Sequence, residues 1–353
     1  MAYTTIKKPS DYFNTVLYTG NNSSPRTITG VGFQPDMNWS KIRSEANDHW
    51  ISDAVRGANK IIRPNTTDVE LVNGSSGYLS SFNSDGYVIA AGSGTNDNFN
   101  KNSGTMASWN WKAGGGQGSS NTDGSINTTY TSVNTTAGFS ISSYTGTGSN
   151  ATVGHGLGVA PKMIMIKNLS ASAKSWQVGH EGIGWGNGIY LNLTDGQASD
   201  SGAFNSTAPT SSVFSVGTSS LVNDSGNSYV AYCFAEKTGY SKFGSYTGNG
   251  NADGSFIYCG FKPAFVFVKR KDGTDNWFIN DNKRNPFNEA ENPLRPNLST
   301  EEYSGTGYGI DMLSNGFKVR TADAGFNASG GNYIFMAIGQ SLVGSNNVPC
   351  TAR

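Results

Sequence analysis

The chain has 353 residues, 25 of them basic and 25 acidic, and only 14% are charged, so no electrostatic footprint for nucleic acid or an anionic membrane is visible. Its 46 glycines, with abundant Ser, Thr and Asn, suit many short strands joined by tight turns, and no segment keeps a helical period. No run of about 18 apolar residues occurs and the N-terminus lacks a hydrophobic signal core, so a protein made in a cytoplasm, with no membrane insertion and no signal-peptide export, is expected.

Residues 1–15 read as an extended arm containing Lys7, Lys8 and Pro9. A first repeat is placed at 16–112. Tyr18-Thr19-Gly20 opens it and Gly32-x-x-Pro35, Lys41 and Trp50 follow. After Pro35, Asp36-Met37-Asn38-Trp39-Ser40 alternates and predicts a strand with one wet face. Residues 113–138 are nearly devoid of apolar side chains and read as a flexible Gly/Ser/Thr/Asn linker.

A second repeat is placed at 139–236. It carries Tyr144-Thr145-Gly146, Gly158-x-x-Pro161, Lys167 and Trp176. A third is placed at 240–340, with Tyr246-Thr247-Gly248, Gly260-x-x-Pro263, Lys269 and Trp277. In every copy the proline lies 15 residues after the YTG glycine and the lysine 6 after the proline, while the tryptophan follows the proline by 15, 15 and 14. Met163–Ile166 and Ala264–Val268 are unbroken apolar runs, which predicts strands buried on both faces. Ser103-Gly104, Ser225-Gly226 and Ser329-Gly330 each precede a closing aromatic strand. Repetition at this spacing predicts an all-β chain of three tandem β-sandwich domains, jelly-roll or lectin-like, sharing one pattern. Pro35, Trp50, Pro161, Trp176, Pro263 and Trp277 mark their cores. A polar tail, 341–353, ends the chain.

The chemistry-bearing residues are few. Cys233, Cys259 and Cys350 are odd in number and lack CxxC spacing, which argues against a disulfide framework and a metal site. His49, His155 and His180 form no metal spacing, and no nucleophile elbow or phosphate loop is present. Asp53, Asp85, Asp281 and Asp311 are the default carboxylates for glycan hydrolysis. Asp53 and Asp281, however, each precede an arginine by three residues (Arg56 and Arg284), which a loop-tying ion pair explains more simply. No enzyme and no cofactor are expected. Trp39, Trp111, Trp185 and Tyr190 do not recur at a fixed spacing and are the candidate surface or glycan contacts.

The strings YTGNG, GVGFQPD, DAVRGANK, NSDGY, WNWKAGGG, VGHGLGVAPKMI, SYVAYCFAEKTGYSKFGSYTG and GFKPAFVFVKR resemble a family of repeat-containing structural proteins of tailed, often marine, bacteriophages. Its members are described as tail-fibre-like or virion structural proteins. The resemblance covers nearly the whole chain. It implies a virion component, a tail-fibre-like receptor-binding appendage or a capsid decoration. The partners it implies are other tail or capsid proteins, a host surface glycan or receptor, and copies of the same chain, as a trimer. It supplies no catalytic residues. The arm 1–15 is the expected attachment element, and the second and third repeats the exposed distal pair.

Overall fold

The computed structural model describes residues 4–95 and 97–341. The first repeat runs β1 (Phe13–Thr19), β2 (Arg26–Thr29), β3 (Met37–Ile42), β4 (Trp50–Asp53), β5 (Lys60–Ile61), β6 (Leu71–Val72), β7 (Tyr78–Asn83), β8 (Gly86–Ala90) and β9 (Thr105–Trp111), with a helical turn α1 (Asp97–Asn100). Then come β10 (Tyr130–Asn134), β11 (Phe139–Thr145), β12 (Ala151–Gly154), β13 (Met163–Asn168), β14 (Gln177–His180), β15 (Asn187–Tyr190), β16 (Ala198–Ser199), α2 (Ser201–Phe204), β17 (Val213–Val216) and β18 (Ser228–Phe234). The last repeat holds β19 (Ser241–Thr247), β20 (Phe256–Tyr258), β21 (Pro263–Arg270), β22 (Trp277–Asp281), β23 (Ile310–Leu313), β24 (Gly316–Val319), α3 (Ala324–Asn327) and β25 (Asn332–Gly339).

The architecture is all-β. Each repeat contributes one large sheet with a common antiparallel order, β1-β9-β3-β4, β11-β18-β13-β14 and β19-β25-β21-β22, the second extended by β10, β15 and β16. A smaller sheet faces each of them: β2-β8-β7, β12-β17 and β20-β24-β23.

The period of two decides which face each strand shows. Ile164 and Ile166 of β13 turn to the sandwich core of their own repeat, as do Val266 and Val268 of β21. Met163 and Met165 of the one strand, and Phe265 and Phe267 of the other, turn to a second cluster shared by all three repeats. Met37, Trp39, Trp109 and Trp111 enter the same cluster from the first repeat. The continuous apolar runs are therefore buried twice, against their own small sheet and against the other repeats.

Four expectations need correction. In β3, Asn38 and Ser40 are fully buried, so the alternation there marks a polar interior layer. That layer is satisfied from within: Asn38 Nδ2 donates to Asn110 Oδ1 (2.8 Å) and Ser40 Oγ to Asn38 Oδ1 (2.7 Å).

The segment 113–138 is a structural tie between the first two repeats, where a flexible linker was expected. The N–H groups of Ala113 and Gly115 donate to Asp36 Oδ2 (2.6 and 2.9 Å), β10 pairs along β11, and Ile126 bridges Val153 in parallel. Its Ser and Thr hydroxyls close hydrogen bonds within the fold, as where Thr128 Oγ1 and Thr131 Oγ1 lie 2.9 Å apart.

The arm is folded onto its own chain. Ile6 is buried in the shared cluster, Pro9–Asp11 forms a 3₁₀ turn, and Ser341 Oγ bonds Ser10 Oγ at 2.8 Å. The expected tail, apart from Ser341, and with it Cys350, lies outside the described residues, as do Met1 to Tyr3.

Finally, the repeats do not divide into a fixed first and a distal pair. Phe13, Trp109 and Trp111 of the first repeat pack their rings on Phe265 of the third. Trp176 of the second donates Nε1 to Arg63 O of the first, and Trp277 of the third donates to Tyr190 O of the second, both at 2.9 Å. Contacts therefore run from each repeat to both others, and the three close a ring around the shared cluster.

Candidate functional site

The register of the large sheets pairs Met37 with Asp53, Met163 with His180 and Phe265 with Asp281. These pairings make Asp53, His180 and Asp281 equivalent, with His49, Trp176 and Trp277 each four positions before them. Trp50 thus misses the tryptophan position by one residue. Its equal spacing from the proline is produced by a second-repeat hairpin one residue longer, which shifts Trp176 into the place His49 holds in the first. One residue in a strand reverses the face. Trp50 accordingly packs in the first repeat's own core, while Trp176 and Trp277 face the shared cluster.

The candidate carboxylates are occupied. Asp53 accepts from Arg56 N (2.8 Å) and Nε (2.5 Å), and Asp281 from Arg284 N (2.9 Å) and Nε (2.5 Å), all buried. Each also receives a donor from another repeat: Tyr232 OH reaches Asp53 Oδ2 at 2.6 Å and Trp109 Nε1 reaches Asp281 Oδ2 at 3.0 Å. At the third such place, His180 Nε2 lies 3.2 Å from Phe335 O, and its Nδ1 accepts from Gly182 N at 2.9 Å, which fixes a neutral Nε2–H tautomer. Burial holds its pKa down at about 4. Asp85 accepts from Gly30 N and Gly32 N, and Asp311 lies 3.5 Å from Arg320, with desolvation raising its pKa. The structure brings no two of the four carboxylates together on one substrate-sized opening.

Two further sets of buried polar residues recur in the repeats. Asn100, Asn223 and Asn327 each accept from the backbone N–H two residues after the YTG threonine (Asn21, Thr147 and Asn249; 3.1, 2.8 and 2.8 Å). Each returns its amide to a carbonyl two residues on, Ser23, Ser149 or Asn251 (2.7, 2.6 and 2.6 Å). The YTG tyrosine anchors the same turn, through bonds from Tyr18 OH to Phe99 O, Tyr144 OH to Val222 O and Tyr246 OH to Phe326 O. A Cβ on Gly20, Gly146 or Gly248 would collide with a backbone carbonyl there, which explains the glycine. The repeat lysines Lys41, Lys167 and Lys269 are fully buried and donate Nζ to backbone carbonyls, with burial lowering each pKa to about 8. The sequence signal for the asparagines is a Phe-Asn or Val-Asn pair shortly before each Ser-Gly.

The aromatic candidates are placed differently from expectation. Trp39 and Trp111 are core residues, the first donating Nε1 to His49 Nδ1 (3.0 Å). Trp185 is half-buried edge-on to Phe204 (5.3 Å between centroids), and Tyr190 is half-buried with its carbonyl taken by Trp277. Neither buried tryptophan offers a sugar platform.

What the exterior offers is elsewhere. A cleft of about 290 Å³ between the first two repeats is lined by Arg56, Lys60, Glu70, Gln117 and Tyr130, its charges paired through Glu70. A groove of about 620 Å³ on the third repeat runs beside Phe287, which is 77% exposed. Two exposed aromatics share one strand, β20. Its Ile257 is buried, while Phe256 and Tyr258 stand on the outer face at 46% and 62% exposure. The equivalents are Thr27 and Thr29 in β2, and Thr152 and Gly154 in β12, as the pairings Ile28–Tyr87, Val153–Phe214 and Ile257–Phe317 establish.

The charges flanking β20 are paired among themselves: Lys318 with Asp253 (2.5 Å), and Arg320 with Asp253, Glu289 and Asp311. β20 is also an edge strand. The site is thus an aromatic, open sheet edge on one repeat of three, with its flanking cations paired.

These features define an all-β body of three repeats whose recurrent Asp, Asn and Lys side chains are hydrogen-bonded within the fold. The chain belongs to the DUF7483 family, a domain of unknown function, whose model matches residues 8–341 and so spans all three large sheets. No curated protein and no solved structure matches it.

Proposed function

We propose that the protein is an exposed structural component of a bacteriophage particle, a tail-fibre-like appendage that meets the host surface, and that it acts by presenting a rigid surface. The observation that carries this reading is the contrast between interior and exterior. The recurrent Asp, Asn, Lys and His side chains are spent on internal hydrogen bonds, whereas Phe256 and Tyr258 stand open on one edge. Large aromatics left in water on an ordered strand are characteristic of contact surfaces. The biological setting comes from the resemblance of the motif strings to phage structural proteins. Other tail or capsid proteins and a host glycan or receptor are its proposed partners, and a trimer would gather three copies of the open edge.

Decoration of the capsid is the second reading. It is favoured by the closed ring of three repeats, a compact body with no shaft segment among the described residues. Gold-labelled antibody against the protein, imaged on purified particles, tests both. Label at the tail in low copy supports the appendage, dense label over the head selects decoration, and unlabelled particles overturn the virion reading.

A further inference from the structure

In an antiparallel pair, alternate residues turn their N–H and C=O away from the partner strand. Val319 N donates to Ser255 O (3.0 Å) and Cys259 N to Asn315 O (2.9 Å), so in β20 and the residues flanking it Ser255, Ile257 and Cys259 turn their main-chain groups to the β24 side. The main-chain groups of Phe256 and Tyr258 therefore point out of the sheet, and among the described residues no strand or bridge pairs with that side. The two residues that expose aromatic rings are the same two that expose unpaired peptide groups.

The second repeat has the matching edge, and there it is covered. β12 turns the peptide groups of Thr152 and Gly154 outward by the same register, since His155 N donates to Ser212 O (3.1 Å). The segment Gly124-Ser125-Ile126 lies along it in parallel. Ile126 N donates to Thr152 O (2.9 Å), Thr152 N donates to Ser125 Oγ (2.9 Å), and the Ile126 side chain is buried in that repeat's core. The chain thus carries a worked example of what fits this edge: a short extended segment with small residues and one apolar anchor. Nothing in the third repeat corresponds to 113–138, because Lys237-Thr238-Gly239 is the whole connection between the second and third repeats.

We propose that β20 is a strand-addition site, and that its occupant is an extended segment of a partner polypeptide, uncharged and of the Gly-Ser-Ile type, laid parallel to β20 as residues 124–126 lie on β12. The partner's N–H would donate to Phe256 O, the equivalent of Thr152 O, and Phe256 and Tyr258 would cover the added strand from the outer face. The two cations beside the edge, Lys318 and Arg320, are paired with Asp253, Glu289 and Asp311, so neither is free to draw an acidic segment. Main-chain pairing supplies affinity in such sites and side chains supply selectivity. This assignment holds whether or not the protein is a virion component, so imaging of particles and the experiment below fail independently.

The test is amide hydrogen exchange of the full chain with and without a synthetic peptide of the sequence of residues 124–131. Saturating peptide is expected to slow exchange at Phe256 and Tyr258 by at least about tenfold, and by less at Thr27 and Thr29, whose edge lacks the rings. Phe256→Pro, which deletes an outward N–H that β24 does not use, should abolish binding. Phe256→Thr with Tyr258→Thr, which restores the edge of the first repeat, should weaken binding while leaving some protection. Unchanged exchange at both amides overturns the proposal. So does normal binding by the proline variant with complete loss in the threonine variant, which would mean a side-chain platform. Protection that grows with protein concentration alone would assign the edge to a second copy, and protection released by removing residues 342–353 would assign it to the chain's own end. Either result overturns the partner assignment.

Discussion

Trp109 of the first repeat donates its indole N–H to Asp281 of the third at 3.0 Å, and the guanidinium that neutralises this carboxylate, Arg284, stands 5.5 Å over the same indole ring. One residue pair thus joins two repeats 172 positions apart through a buried charge. The equivalent pair, Tyr232 with Asp53, joins the second repeat to the first. Tyr232→Phe keeps the ring and deletes the donor, and should cost about 1.5–3 kcal/mol, the range for a bond to a charged group, measured by denaturant unfolding. Trp109→Phe deletes the donor and also shrinks a fully buried indole to a phenyl ring, so it should cost more.

Trp277→Ala removes a side chain that is 1% exposed, stacks on Phe267 at 4.8 Å and holds the Tyr190 carbonyl. A loss of roughly 3–5 kcal/mol is expected, as for other truncated core aromatics. A loss below about 1 kcal/mol would mean that the indole is not part of the shared core.

Asn327→Ala should be as damaging as a core truncation although it removes no apolar surface. The side chain accepts from Asn249 N and donates to Asn251 O and Thr321 O, so its removal strands several buried main-chain groups. Each group left without a partner costs about 1–3 kcal/mol, and the thermal midpoint should fall accordingly. Asn223→Ala should behave alike in the second repeat.

Acid should weaken the fold before the carboxylates titrate. His180 is held neutral with a pKa of about 4, below the ordinary 6.5, by burial above all. The folded state therefore binds fewer protons than the unfolded chain. The contribution is complete above pH 6.5 and lost as pH falls toward 4, amounting to about 3 kcal/mol. Burial also lowers His49 and His155, in the same direction. His180→Asn keeps an acceptor for Gly182 and should flatten the dependence of stability between pH 6.5 and 4. At the alkaline side Lys41, Lys167 and Lys269 act with the same slope, stability rising with pH: the cost of burying their charge is present below pH 8 and relieved between 8 and 10.5.

Much of the fold was legible because the strand period is short and the repeat is long. The YTG glycine, the proline and the lysine fall at matching places in all three sheets, since close approach at Gly20, Gly146 and Gly248 and the buried ammonium each tolerate little else. The Asp–Arg pairs were legible for a similar reason, the i, i+3 spacing recurring in two copies. The tryptophan equivalence failed at Trp50 because one inserted hairpin residue is invisible to spacing yet reverses a side chain's face.

The polar residues misled for a physical reason. Asn38, Ser40 and the hydroxyls of 113–138 have the composition of wet surface, and whether such groups are buried depends on partners far away in sequence. The closed ring had one trace in the sequence, the double burial of Met163–Ile166 and Ala264–Val268, which a lone sandwich does not require. The open edge had none, because Phe256 and Tyr258 read as ordinary strand residues until the register showed which way they face.

The central claim is that the three repeats form one body around a shared core, and scanning calorimetry of the full chain tests it most directly. One transition is predicted, with calorimetric and van't Hoff enthalpies equal. Two or three separable transitions, each with the enthalpy of a domain of about 100 residues, would contradict it.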